Sequence, residues 1–265
     1  MNIFEALRES HDRQRGYADA LIKTSGDTPE RAEAYKQLKA ELQAHETAEE
    51  RHFYIPLMAF DEEQALHKRG LARFVVKYQA ALIFPLSLLQ ALSMHRSSIE
   101  FLVEKKAKNT WTESLMIVAH FVLYLGLLFT ALEPLQAVLF IAVHRGLFGM
   151  YMVSIFAPNH KAMPVLDRDS QLDFLHRQVL TSRNVIAHPI TDFWYGGLNY
   201  QIEHHLFPSM PRNKLREVQA IVKDFCRAHS IAYHETSVVR SYQEIQQHLH
   251  EVGAPQREAR KAGCQ

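Results

Sequence analysis

Cysteine is nearly absent from this sequence, with only Cys226 and Cys264 among 265 residues. Two cysteines cannot build a disulfide scaffold or a thiolate zinc cluster, and so low a content suits a reducing compartment. A surplus of charge is also absent, since 30 Lys and Arg balance 29 Asp and Glu, which gives no support to nucleic-acid binding. The first residues lack a basic start followed by an apolar run, so we expect no signal peptide.

The apolar stretches of the sequence are long and carry few charges. Residues 114–132 contain no Asp, Glu, Lys or Arg, and residues 135–157 are also long enough to span a membrane. At 1.5 Å per residue these stretches cover roughly 28 to 35 Å, about the thickness of a hydrocarbon core. Glu133 and Pro134 between them form a tight turn. The pattern therefore predicts a transmembrane helical hairpin and favours it over two buried helices of a soluble protein.

Two features of this apolar region leave alternatives open. Residues 74–94 are a third candidate span, but Lys77 and Pro85 are equally consistent with a re-entrant or interfacial segment. His144 and Arg145 lie in the middle of the hairpin, where ionisable groups usually face a cavity or a partner. They are predicted either to contact a substrate or headgroup, or to pair with other side chains inside a helix bundle.

Basic residues flank the hairpin on both sides. Lys105, Lys106 and Lys108 precede it, and Lys161 and Arg168 follow it. Positively charged flanks favour the cytoplasm, so both ends of the hairpin are expected there. The sequence therefore predicts an integral membrane protein with cytosolic termini and a cytosolic histidine-rich region after the hairpin.

That later region contains the stretch GGLNYQIEHHLFPSMPR, residues 196–212. On a helix over residues 199–206, Gln201 lies one turn before both His204 and His205, so the three side chains lie on adjacent faces. Neutral imidazoles suit iron, zinc and copper, and a Gln oxygen can hold a bound water or orient a ligand. Adjacent histidines diverge by about 100° on a helix, which suits two neighbouring metals better than one. A solvated histidine pair at a membrane surface is the simpler alternative.

The segment YQIEHHLFPSMPR resembles the third histidine box of membrane fatty-acid desaturases, in the front-end or linoleoyl-CoA-desaturase-like branch where Gln replaces the first His. The segment FAPNHKAMP, residues 156–164, resembles the asparagine–histidine element that gives this family a further iron ligand. DFLHRQVLTSRNV and GGLNY are similar to the family's linker between these elements. The resemblance covers about residues 71–253.

This resemblance implies a non-haem di-iron centre that uses O₂ to remove two hydrogens from an unactivated acyl chain. The matching motifs place metal-site roles on five residues: His160, His204 and His205 as iron ligands, Gln201 at the remaining box position and Asn159 as a possible outer ligand through water. No catalytic residue is implied beyond these ligands. The implied substrate is a membrane lipid or an acyl-CoA. A separate electron donor such as ferredoxin or cytochrome b5 is expected, because the sequence has no haem-binding or ferredoxin-like segment.

The family pattern is incomplete in this sequence. The family carries two earlier boxes, one HxxxH-like and one HxxHH-like, upstream of the region that matches residue 71. The histidines before the hairpin show neither spacing; they are His11, His45, His52, His67 and His95. Half of the expected iron ligands and the first half of the membrane domain are therefore predicted to be missing.

The first 62 residues resemble a different iron protein. ESHDRQRGY and LKAELQAHETAEERHFYIPLM are similar to the first two helices of a hemerythrin-like HHE domain, which binds two irons inside a four-helix bundle. By motif, His11 would come from the first helix, and His45 and Glu49 from the second. The i,i+4 spacing of His45 and Glu49 puts both on the face that carries Leu38 and Leu42, as an inward-facing site requires. Helices three and four are not matched, and a solvated amphipathic hairpin is the alternative.

The sequence as a whole predicts an all-α fold in three parts. Residues 1–65 are expected to form a partial hemerythrin-like amphipathic helical hairpin. Residues 71–253 are expected to form a partial membrane desaturase domain, with the transmembrane hairpin followed by a cytosolic helical histidine-box region, and residues 254–265 a disordered tail. Three functions stay open: a desaturase-family enzyme with an incomplete iron site, a membrane-tethered hemerythrin-like module that binds iron or O₂, and an inactive fusion.

Overall fold

The chain is almost entirely helical, which confirms the predicted all-α class. The computed structural model describes residues 12–14, 16–17, 19–21, 23–26, 28–38, 57–103, 109–164 and 172–262. Most of the described residues before residue 39 are helical. Strands among the described residues are limited to the two-residue β1 (Asn184–Val185) and β2 (Glu235–Thr236), which pair in parallel.

The helices from residue 62 onward are joined mostly by short connections. They are α1 (Glu62–His67), α2 (Gly70–Ser87), α3 (Gln90–Val103), α4 (Thr110–Ala131), α5 (Pro134–His160), α6 (Phe174–Leu180), α7 (Pro189–Tyr195), α8 (Gln201–Leu206), α9 (Arg212–Ala228), α10 (Val238–Val252) and α11 (Ala254–Ala262). Strand β1 lies between α6 and α7, and β2 lies between α9 and α10. Their pairing therefore brings the segment before the histidine box next to the segment that leads into α10.

Helices α4 and α5 are long and apolar enough to cross a membrane, judged by length and composition. Few of their side chains are buried within the protein, as expected of helices that face lipid. Only a short connection at Glu133 separates them, so the predicted helical hairpin is present. The third candidate span is broken, because α2 and α3 meet at a bend of 87°. Pro85, which cannot donate a backbone hydrogen bond, lies in the last turn of α2.

Helix α10 covers the place where α2 meets the end of α5. Buried side chains from these helices and from the segment before α1 form one core cluster: Met58, Val75, Ile83, Ala157, Ile245 and Leu249. Gln79 of α2 is buried, accepts a hydrogen bond from the Ala59 amide at 3.0 Å and donates one to the Leu249 carbonyl at 3.1 Å. Because buried polar groups need such partners, these bonds fix residue 59 against α10. Residues 58–59, predicted to belong to the N-terminal part, thus share a core with the C-terminal helices.

The C-terminal tail differs from the sequence prediction. Residues 254–265 are predicted to be disordered, but Ala254–Ala262 forms helix α11. Gln256 is buried and donates a hydrogen bond to the Ala65 carbonyl at 2.6 Å, and Arg257 donates one to the Lys77 carbonyl at 3.3 Å. The charged composition of the tail gave no sign of this helix, because its partners lie far away in the sequence.

Candidate functional site

Helix α8 carries the predicted histidine box, and its residues Gln201–His205 are all buried. The predicted helix over residues 199–206 is observed from Gln201 to Leu206. Just before it, Gly196 (φ 57°) and Gly197 (φ 84°) have the left-handed backbone that glycine adopts without steric cost. A Cβ atom at Gly197 would also lie 3.2 Å from the Cβ of Arg212. The two glycines therefore let the chain turn sharply from α7 into the box.

Gln201 joins the box to the last turn of α5. Its Nε2 lies 2.9 Å from His160 Nε2 and 2.8 Å from His205 Nε2, and the centroids of the two imidazole rings are 5.2 Å apart. An amide nitrogen can only donate, so in this arrangement both histidine Nε2 atoms are placed as hydrogen-bond acceptors. An imidazole with an unprotonated Nε2 is the form that binds a metal. The asparagine–histidine element and the histidine box thus meet, although they are about 40 residues apart in the chain.

Asn159 places a second amide beside Gln201. Its Nδ2 donates to the Leu198 carbonyl at 2.9 Å and to Gln201 Oε1 at 3.2 Å, which fixes the orientation of both amides. The opposite oxygen, Asn159 Oδ1, is buried and accepts no hydrogen bond from the described residues. Since buried polar atoms are nearly always hydrogen-bonded, this oxygen is suited to accept a hydrogen bond from a bound water.

His204 and His205 diverge, as expected for neighbours on a helix. Their ring centroids are 6.0 Å apart, and His205 Nδ1 lies 2.9 Å from the Ser182 hydroxyl. A hydrogen bond at Nδ1 orients an imidazole whose Nε2 binds a metal. Within the described ranges, no group of three or more His, Cys, Asp or Glu side chains is arranged to hold a metal ion. The donor atoms thus fit iron in kind, but these side chains alone do not surround an ion.

Arg183 anchors the end of α5, where Asn159 and His160 lie. Its side chain is fully buried and donates to the carbonyls of Pro158 at 2.6 Å and Lys161 at 3.0 Å. It also forms an ion pair with Glu244 of α10 at 2.5 Å. The carbonyls at a helix C-terminus carry partial negative charge, so a guanidinium there is stabilising. Burial lowers the pKa of Arg183, while the neighbouring Glu244 raises it.

Asn184 and Tyr233 hold the opposite face of α8. Asn184 accepts from the Ile202 amide at 2.9 Å and donates to Glu203 at 2.6 Å, and the Tyr233 hydroxyl donates to Glu203 at 2.8 Å. Glu203 is fully buried, and burial raises its pKa, although the bonds from Asn184 and Tyr233 act to lower it. Burial and the nearby Glu203 also raise the pKa of Tyr233. The carboxylate that immediately precedes the two box histidines thus faces a supporting network on the other side of the helix.

Ser182, Arg183 and Asn184 were not singled out from the sequence. They are consecutive, yet they contact three different elements: Ser182 the box histidine, Arg183 the end of α5 and Asn184 the start of α8. The resemblance of DFLHRQVLTSRNV to a family linker is the one sequence signal that covered them, and it assigned them no role. No spacing rule predicts such contacts, because each depends on how β1 is placed.

A second polar group lies among the apolar helices. Arg145 Nη1 donates to His95 Nε2 at 3.0 Å, and its guanidinium lies 4.6 Å from the centroid of the Tyr124 ring. The Tyr124 hydroxyl lies 2.7 Å from His144 Nδ1, and the Tyr124 ring stacks on His120. Of the two alternatives for His144 and Arg145, the observed contacts are pairings within the helix bundle. His95, His120 and Tyr124 were not predicted to take part.

The predicted hemerythrin-like residues His11, His45 and Glu49 lie outside the described residues. Their roles therefore stay a prediction. The roles of His160, Gln201, His204, His205 and Asn159 as a metal site also stay a prediction, although the five side chains lie around the end of α5 and helix α8.

Two apolar helices joined to a buried histidine site define the class as a helical membrane protein with a candidate metal centre. The family model described as "Fatty acid desaturase" matches residues 43–237, which is most of the chain. The chain belongs to the fatty acid desaturase family. A second family model, "Hemerythrin HHE cation binding domain", matches residues 2–81 and so overlaps the first over residues 43–81. Proteins of both families generally bind iron.

Curated relatives include desaturases of plants, an animal and a fungus. An acyl-lipid (9-3)-desaturase of Borago officinalis is 29% identical over 188 residues, which cover 70% of this chain and 40% of the relative. A Delta(6)-fatty-acid desaturase of Caenorhabditis elegans is 34% identical over 129 residues, which cover 48% of this chain and 29% of the relative. The matches thus span less than half of the length of these relatives. No solved structure matches this chain significantly.

Proposed function

We propose that this chain supplies part of the non-haem di-iron centre of a fatty-acid desaturase. His160, His204 and His205 are the proposed ligands, with Gln201 at the remaining box position and Asn159 holding a water. The observation that carries the proposal is the contact of Gln201 Nε2 with both His160 Nε2 and His205 Nε2, at 2.9 and 2.8 Å. It brings two family motifs into one buried cluster in which both imidazole Nε2 atoms are placed as hydrogen-bond acceptors.

The chain's own side chains have distinct roles in this proposal. Ser182 orients the His205 ring, and Arg183 holds the end of α5 so that His160 faces α8. Gln201 keeps the two Nε2 atoms together, and Asn159 Oδ1 is an acceptor for water. Iron bound there would supply the O₂-dependent removal of two hydrogens from an acyl chain.

A groove next to the site suits an acyl chain. A cavity of about 570 Å³ lies between α2, α5, α7 and α10 and is lined mainly by apolar and aromatic side chains, among them Phe84, Leu147, Met150 and Trp194. This volume lies within the usual range of ligand sites, roughly 300 to 1,000 Å³. Ser154 at its edge lies six residues before His160 on α5, which is about 9 Å along the helix axis. We propose that the acyl chain of a membrane lipid or acyl-CoA occupies this groove.

The two-iron centre needs ligands that this sequence does not provide. No pair of histidines has the HxxxH spacing, and no HxxHH segment occurs. We therefore propose that a second polypeptide supplies the earlier boxes, and that this chain alone forms few or no double bonds. A separate electron donor, such as ferredoxin or cytochrome b5, is part of the same proposal. We also propose that the chain is oriented in the membrane with its termini and the histidine-box region in the cytosol.

A hemerythrin-like iron or O₂ module is the second candidate function, and the match to residues 2–81 favours it. In that case His11, His45 and Glu49 would hold the metal. Residues 1–65 and 71–253 are the proposed extents of the two portions, and the cluster that includes Met58 and Leu249 joins them. An inactive fusion is the remaining alternative.

Expression of the chain in a host without desaturase activity distinguishes these functions. Iron per purified chain and the double-bond content of host lipids are measured for the native chain, His205→Ala and His45→Ala. If the proposal holds, the native chain binds some iron but less than two ions, His205→Ala lowers the amount, and no new double bonds form. Loss of iron in His45→Ala alone would favour the hemerythrin-like module. New double bonds made by the chain alone would refute the need for a second polypeptide.

A further inference from the structure

Helix α7 exposes an apolar face, of which only Trp194 also lines the proposed acyl groove. Ile190, Phe193 and Trp194 are 71%, 86% and 46% exposed. Their spacing of three and four residues places them on one side of the helix. The other side is packed, because Tyr195 is buried and Asp192 accepts hydrogen bonds from Asn199 at 2.8 Å and Tyr200 at 3.0 Å.

Contacts with α5 fix the position of this face. The Trp194 indole nitrogen donates to the Ser154 hydroxyl at 2.9 Å, and the Tyr151 hydroxyl donates to the Trp194 carbonyl at 3.2 Å. The rings of Tyr151 and Trp194 meet edge to face, with centroids 5.1 Å apart. Helix α7 therefore lies directly against one of the two apolar helices.

The point of contact lies near one edge of the membrane. Tyr151 is 17 residues after Pro134, the first residue of α5, which corresponds to about 26 Å along a helix. The hydrocarbon core of a bilayer is about 30 Å thick, so a span that starts at Pro134 reaches the far interface close to Tyr151 and Ser154. Tyr and Trp are the residues most enriched at that depth.

Basic residues lie next to α7. Arg216 pairs with Asp192 of α7 at 3.8 Å, and Gly197 lies against Arg212. Arg212, Lys214 and Arg216 are all exposed. Cationic side chains beside an exposed aromatic face are typical of segments that lie on anionic lipid headgroups.

We propose that α7 is an interfacial lipid-contact helix. Its face of Ile190, Phe193 and Trp194 inserts at the boundary between headgroups and acyl chains, and Arg212 and Arg216 contact lipid phosphates. The occupant of this face is thus the bilayer that contains α4 and α5, rather than a protein. The proposal does not depend on iron or on desaturation, so it can fail while the proposed function holds.

Tryptophan fluorescence tests this proposal directly, because Trp111 and Trp194 are the only tryptophans in the sequence. The full chain with Trp111→Phe is reconstituted into phosphatidylcholine vesicles that contain phosphatidylglycerol and lipids brominated at a shallow or a deep position of the acyl chain. We expect shallow bromines to lower Trp194 emission roughly twofold and deep bromines to lower it less. Aqueous acrylamide is expected to quench Trp194 weakly. Adding Ile190→Ser and Phe193→Ser should raise acrylamide quenching and reduce bromine quenching.

A matched control separates this result from failed insertion. Trp194→Phe leaves Trp111, which lies in the first turn of α4 and is 81% exposed, as the reporter of the hairpin. Bromine quenching of Trp111 shows that the hairpin is inserted. If Trp111 is then quenched by brominated lipid but Trp194 is quenched only by acrylamide, the face is open to water and the proposal is wrong. If Trp194 is protected from acrylamide only at a high protein-to-lipid ratio, a second copy of the chain covers the face. That result would also overturn the proposal.

Discussion

Replacing Arg183 with Met should strongly destabilise the site, because Arg183 connects three parts of the fold. The fully buried guanidinium bonds to the carbonyls of Pro158 and Lys161 and pairs with Glu244. Methionine fills a similar volume but donates no hydrogen bond. The change therefore leaves two carbonyls at the end of α5 without this donor and removes one of the donors to the Glu244 carboxylate on α10.

The size of the effect follows from these contacts. Hydrogen bonds from a charged group contribute roughly 1.5 to 3 kcal/mol each, and removing one partner of a buried ion pair costs about 3 to 5 kcal/mol. Glu244 keeps 26% of its side chain exposed and retains contacts to His234 and Arg240 in the variant. The hydrogen-bond and ion-pair contributions therefore do not add fully. We expect Arg183→Met to lower the free energy of unfolding by about 3 to 5 kcal/mol. That corresponds to a fall of roughly 6 to 20 °C in the thermal midpoint for a chain of this size.

Arg240→Met is the matched control, since Arg240 contacts the same carboxylate at 3.3 Å but is 74% exposed. Exposed pairs contribute less than about 1 kcal/mol, so this variant should melt close to the native chain. Thermal unfolding of both variants is followed by circular dichroism in detergent, together with iron per chain. Equal melting temperatures for the two variants would refute the anchoring role of Arg183. A decrease of less than about 1 kcal/mol in the free energy of unfolding of Arg183→Met would also refute it.

Two further predictions concern packing and pH. Gly149→Ala should destabilise the chain by about 1 to 3 kcal/mol, because its Cβ would fall on the Ser87 carbonyl and lie 3.1 Å from the Ala91 nitrogen. Gly126→Ala is the control, because open space surrounds its Cβ, and it should leave the melting temperature unchanged or raise it. Similar falls in melting temperature for Gly149→Ala and Gly126→Ala would contradict the close packing at Gly149. Burial acts to raise the pKa of Glu244, but the interactions with His234 and Arg183 outweigh burial, so the pKa in the folded chain lies below its usual value of 4.5. The ionised carboxylate therefore stabilises the fold above pH 4.5, and this stabilisation is lost as the pH falls through the pKa of the folded chain. Melting temperatures between about pH 6 and pH 3 should therefore fall less steeply for Glu244→Gln, and parallel curves would contradict this reasoning.

The sequence predicted the elements whose pattern is local. The hairpin followed from two apolar stretches around Glu133, and the placement of Gln201 one turn before His205 followed from helical spacing. The bend between α2 and α3 was left open at Pro85, because proline at the end of a helix is compatible with several outcomes. Helix α11 was missed, since the groups that it contacts, such as the Ala65 carbonyl bonded by Gln256, lie far away in the sequence.

The candidate site could be predicted only in part, for the same reason. Recognition of the asparagine–histidine element and the histidine box identified the side chains that converge, but not their distances. The supporting residues Ser182, Arg183 and Asn184 are consecutive polar side chains at the entry to β1, and their partners lie on helices α5, α8 and α10. Arg183 and Asn184 carry no motif that marks them as buried, and charged residues are rarely buried without a partner. Their roles follow only from the assembled fold.

Iron content in the presence of the missing boxes tests the central claim most directly. The chain is co-expressed with a polypeptide that carries the two earlier histidine boxes of the family, and iron per complex and new double bonds in host lipids are measured. We expect about two irons per complex and new double bonds, with both lost in His160→Ala and His205→Ala, because metal affinity depends steeply on the full ligand set. Iron binding and desaturation by the complex that are unchanged in His160→Ala and His205→Ala would contradict the account.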